Sequence, residues 1–76
     1  MPQLKINSRR LYETSDPLST LGHLDRIASE YVDGGWEVRR GFLGIVILPL
    51  QDGEVHYIPT GDGIEEIIFE GRADNE

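Results

Sequence analysis

The sequence predicts an α+β domain in which one amphipathic helix packs on a small antiparallel sheet. Three observations lead to that class. Apolar residues recur at helical spacing through one long stretch, residues 16–33. Short β-branched runs follow it, separated by glycine-containing turns such as Asp52-Gly53. The run Ile45-Val46-Ile47-Leu48 is unbroken and aliphatic, which suits a central strand largely buried on both faces. A helix laid across one face of a twisted sheet is the stable packing for this pattern. The 76 residues are expected to form one domain, with residues 72–76 as a frayed tail.

Residues 3–7 alternate polar and apolar and read as a short edge strand, with Leu4 and Ile6 on one face. The helix follows. Asp16 is a good N-cap, and Pro17 suits the first helical position because its missing N–H needs no partner there. Leu18, Leu21, Leu24, Ile27, Ala28, Tyr31 and Val32 form one stripe. Gly34-Gly35 stops the helix, one of the two in the left-handed conformation. Gly22 weakens the interior unless it marks a close approach to the sheet or a later helix start.

A second strand is expected from Trp36, with Trp36 buried between helix and sheet. Gly41 and Gly44 bracket Phe42-Leu43 as a turn or bulge. The third strand is 45–50, and Pro49 marks its end or an N–H facing away from a partner. Asp52-Gly53 predicts a two-residue hairpin with Gly53 at positive φ. The fourth strand is 54–58, closed by Pro59. Residues 62–71 have a capping box and a glycine stop that fit a short helix, but the density of isoleucine favours a fifth strand with Gly61-Asp62-Gly63 as its hairpin loop.

The net charge of −7 is unevenly placed. Residues 1–50 carry six acids and six bases, whereas residues 51–76 carry eight acids against Arg72 alone. An acidic balance disfavours direct nucleic-acid binding, since phosphates are repelled. The chain has no cysteine, so neither disulfides nor thiolate metal sites arise. His23 and His56 are the only imidazoles and show no metal-ligand spacing, and the glycines match no phosphate-binding loop. No cofactor or metal is expected. No apolar h-region or membrane-length run is present, which implies a soluble, cytoplasmic protein.

The functional expectation is therefore a non-enzymatic interaction protein, an inhibitor or adaptor docking on a basic surface of a protein partner, a nucleic-acid-binding protein being one candidate. Asp52, Glu54, Asp62, Glu65, Glu66 and Glu70 would supply charge, with Phe42 or Tyr57 as an aromatic anchor. In size and charge alone the chain resembles phage-encoded inhibitors of host defence, such as anti-CRISPR and anti-restriction proteins. Two alternatives belong to other classes. One is an assembly subunit, for instance a homodimer, pairing through an exposed strand edge. The other is a small ligand-binding domain or enzyme using Glu54, His56 and Tyr57.

Overall fold

A computed structural model describes residues 3–72. The elements are β1 (Gln3–Glu13), α1 (Pro17–Asp33), β2 (Arg39–Arg40), a 3₁₀ turn (Phe42–Gly44), β3 (Val46–Leu50), β4 (Gly53–Thr60) and β5 (Gly63–Arg72). All strand pairs are antiparallel, and the sheet order is β1-β5-β4-β3-β2. The last element is thus a strand, as the isoleucine density favoured. Arg72 ends β5 rather than starting a frayed tail, and residues 73–76 lie outside the described residues. No helix among the described residues is long and apolar enough to cross a membrane.

The helix begins as its sequence dictates. The Asp16 carboxylate accepts the Leu18 N–H at 3.2 Å and the Ser19 hydroxyl at 2.9 Å, with Pro17 in the first turn. At the other end Gly35 takes φ 90°. Its N–H donates to Val32 O, and the Trp36 N–H donates to Tyr31 O at 2.9 Å. These two bonds are a Schellman motif with Gly35 at C′ and Trp36 at C″. Gly22 has open space where a Cβ would stand, so it marks no close approach to the sheet.

One face of the sheet carries the core. Leu24 and Ala28 of α1 pack on Val46 and Leu48 of β3, Tyr57 of β4 and Ile64 of β5. The register sets Val46, Tyr57, Glu66 and Arg9 in one row across four strands. On β1 the pairing shifts between Arg10 and Tyr12, which leaves Leu11 as an extra residue. Leu11 and Tyr12 consequently both pack against the core. The bulge and the full-length pairing with β5 explain why β1 runs well past the expected edge strand at 3–7.

Three further expectations are corrected. Trp36 does not begin a strand; it is spent on the helix stop, and β2 is only Arg39–Arg40. Pro59 does not close β4, because pairing with β3 has already ended at Tyr57–Val46 and its missing N–H faces no strand on that side. Gly53 is not among the residues with positive φ. The turn is Gln51-Asp52, and Gly53 opens β4 opposite Glu70, where a Cβ would overlap the Phe69 carbonyl.

The same device recurs at the next turn, Gly61-Asp62. There Gly63 takes φ 140°, and a Cβ would overlap the Tyr12 carbonyl. At both hairpins the turn aspartate's carbonyl accepts an N–H from the chain beyond: Asp52 O from Gly71 of β5 at 2.7 Å and Asp62 O from Thr14, just past β1, at 2.9 Å. Asp-Gly therefore does two things here. It turns one pair of strands and admits the backbone of a third.

Candidate functional site

Beside the C-terminal half of α1, a cleft of about 400 Å³ opens. That volume lies at the lower end of the range for small-ligand sites. Ile27 and Leu11 give it aliphatic lining, and Tyr31, Tyr57 and Trp36 supply three aromatic rings. The Schellman motif builds the outer wall. A contact between the C″ and C3 side chains accompanies such motifs, and here it sets Trp36 edge-on to Tyr31, centroids 5.8 Å apart at 84°. Trp36 is 49 % exposed, which overturns the expected burial between helix and sheet.

The polar side of the cleft is one connected group. The Tyr31 and Tyr57 hydroxyls lie 3.1 Å apart. Tyr57 is only 4 % exposed, and burial first, then hydrogen bonding to Tyr31 and Glu66, pushes its phenol well above the usual range. Glu66 stands opposite Tyr57 in the sheet and is 7 % exposed. A buried carboxylate needs a cation. Arg9 provides it from the neighbouring edge strand, Nε donating to Oε1 at 2.6 Å, while its own side chain stays 67 % exposed. The Glu66 carboxylate pulls the Arg9 guanidinium still further above its already high value.

The electrostatics at the mouth are one-sided. Glu30, which lines the cleft, and Asp33 both lie in the last turn of α1, where there is no base. The C-terminus of a helix carries partial negative charge, so acids there are unfavourable without a compensating cation. Elsewhere three arginines serve the chain's own acids: Arg10 meets Glu65 at 2.9 Å, Arg40 meets Asp25 at 2.7 Å and Arg39 meets Glu37 at 3.3 Å.

The residues singled out from the sequence are dispersed. Tyr57 and Glu66 reach the cleft, but both are buried, so neither is the surface anchor or surface charge expected of it. Asp52 and Asp62 sit at turns on opposite ends of β4. Glu65 and Glu54 lie on the sheet face away from the helix, Glu65 against Arg10 and Glu54 2.8 Å from His56. Glu70 is exposed, and the register sets it opposite Gly53 rather than beside Glu54 or Glu65. The acidic third is thus a charge distribution and not one patch. Phe42 is 80 % exposed in the 3₁₀ turn, beside Leu43 at 72 % and φ 60°.

Arg9, Glu30, Tyr31 and Trp36 were not foreseen as site residues. One signal was available. In the alternation Ile64, Glu66, Ile68 a glutamate falls on the core-facing side of β5, and an inward carboxylate calls for a partner. No protein-family model, curated protein or solved structure matches the chain.

Proposed function

We propose that this protein is a non-enzymatic interaction protein, an inhibitor or adaptor that recognises a basic protein partner. The observation that carries the reading is the cleft: an aromatic wall half open to water beside carboxylates at the negative end of a helix. Such a surface favours cations through both the ring faces and the field. The remaining acids, spread over both hairpin turns and the outer sheet face, act at longer range. They raise the rate of encounter with a positive surface and orient the approach.

The test is capture of partners at low and at physiological salt, followed by association kinetics with the identified protein. Asp52→Asn, Glu54→Gln and Glu70→Gln together remove exposed charge without touching the Glu66 pair or the Asp16 cap. Association is expected to slow and its salt dependence to flatten. A partner with an acidic contact surface, or an association rate indifferent to salt, sinks the reading.

A second reading, self-association, is favoured by a separate observation. Ile6, which is exposed, and the half-buried Ile47, Ile58, Ile67 and Phe69 stand on the sheet face opposite the helix, beside Arg10, Glu54, His56 and Glu65. A row of apolar residues with no layer over it among the described residues, in so small a domain, fits a second copy of the chain. Sedimentation across a wide concentration range decides it, since a monomer at every concentration removes the reading.

A further inference from the structure

The geometry points to the cleft beside Trp36 as a guanidinium site. An arginine side chain of the partner enters it, takes the place of Arg9 on Glu66 and lies against Trp36 and Tyr31. This inference rests on the reading that the partner is basic, and it names the group by which that partner is held.

Three features of the cleft converge on it. The first is the way Glu66 is neutralised. Its carboxylate is almost fully buried, yet the cation that serves it reaches in from solvent on an edge strand. Arg9 engages one oxygen through Nε alone, not through the two-point fork that guanidinium and carboxylate form at their strongest. A guanidinium brought by a partner can approach by the same route and make both bonds. Arg9 is then a resident occupant, free to swing into water.

The second feature is the shape of the wall. Trp36 and Tyr31 stand nearly perpendicular, and half of Trp36 is open. A flat, weakly hydrated guanidinium stacks on such rings while pairing in its own plane. An ammonium, a compact and strongly hydrated charge, does not. The third is the field. Arg9 offsets Glu66, and Arg26, one helical turn before Glu30, offsets one further acid; Glu30, the nearby Asp33 and the helix C-terminus still leave the balance around the cleft negative.

Trp36 is the only tryptophan in the chain, so its fluorescence reports on this cleft alone. The probes are Nα-acetyl-arginine amide, its neutral isostere Nα-acetyl-citrulline amide, and Nα-acetyl-lysine amide. The wild-type protein is expected to give a saturable change with the arginine probe, a weaker one with lysine and none with citrulline. Glu66→Gln is expected to weaken arginine binding about tenfold, since the charge-assisted pair is lost. Arg9→Gln is expected to tighten it several-fold, because the resident competitor is gone, and the probe is expected to raise the melting temperature of that variant more than that of wild type. Should Glu66→Gln fail to fold, Glu30→Gln takes its place, with a weaker but measurable loss.

No saturable change with arginine amide overturns the proposal. So does an equal response to citrulline amide, or weaker binding in Arg9→Gln. If Glu66→Gln still binds a captured basic partner with wild-type affinity and salt dependence, the proposal is overturned, and that partner is held by charge elsewhere on the surface.

Discussion

The hydroxyls of Tyr31 and Tyr57 meet at 3.1 Å and join the helix to the middle of the sheet. Because burial and this contact hold the Tyr57 phenol above its ordinary value of 10.0, the folded state keeps a proton that the unfolded chain releases. A raised value contributes stability that is fully present below the unfolded pKa and lost as pH rises beyond it. Stability is therefore expected to fall above about pH 10, with Tyr57 adding at most about 1.4 kcal/mol per pH unit to the slope. Urea unfolding of wild type and Tyr57→Phe from neutral to alkaline pH isolates that share. Curves that stay parallel would show that Tyr57 does not titrate differently on folding.

The two hairpin glycines are expected to be intolerant of any side chain, for a reason that differs from ordinary turn chemistry. A Cβ at Gly53 or Gly63 overlaps a carbonyl of the next strand, and Gly63 also has φ 140°. Gly53→Ala and Gly63→Ala should each destabilise by about 2 kcal/mol or more, as overpacking and strain do. Gly61, with open space around it, is the internal control, and Gly61→Ala should stay within about 0.5 kcal/mol. Equal effects at all three positions would mean the strands do not approach so closely.

Leu43 holds a left-handed backbone, φ 60° and ψ 25°, while its side chain is mostly in water. Little packing is lost on replacement, and asparagine tolerates that conformation. Leu43→Asn should stabilise by about 0.5–1 kcal/mol, read from the urea midpoint. A loss instead would reveal contacts that compensate for the strain.

Trp36 is expected to matter little for stability and much for binding. Its edge-on contact with Tyr31 is worth on the order of 1 kcal/mol, against the 3–5 typical of truncating a buried aromatic. Trp36→Ala should therefore melt cooperatively within several degrees of wild type. Complete unfolding would show that the indole supports the core after all.

The fold was readable where a residue type has a single physical use. Asp16-Pro17 and Gly34-Gly35 bracket the helix because capping chemistry is local. The isoleucine-rich run after Gly63 reads as a strand because its branched side chains fit a pleated surface. Trp36 misled because hydrophobicity alone places it inside, whereas the Schellman motif fixes it one step past the helix, at the rim. Gly53 misled because an Asp-Gly pair ordinarily signals left-handed backbone, and here the constraint is a third strand far away in sequence. The cleft was illegible for the same reason. Arg9 and Glu66 are 57 residues apart, and only the pairing of β1 with β5 brings them together.

That pairing also sets an expectation for the order in which strands pair during folding. Among the described residues β1 is the first strand, yet it pairs only with β5, the last, with Gln3 opposite Arg72. The hairpins β3–β4 and β4–β5 can close locally, while β1 waits for the whole chain and meets the largest loop-closure entropy in the molecule. The chain therefore enters and leaves the domain at one point. A circular permutant that joins this seam with a short linker and opens between Thr14 and Ser15, ahead of α1, turns the slowest contact into a hairpin and leaves every pair of neighbouring strands consecutive in the chain. It should fold faster than the natural order of strands, with the cleft and its arginine intact.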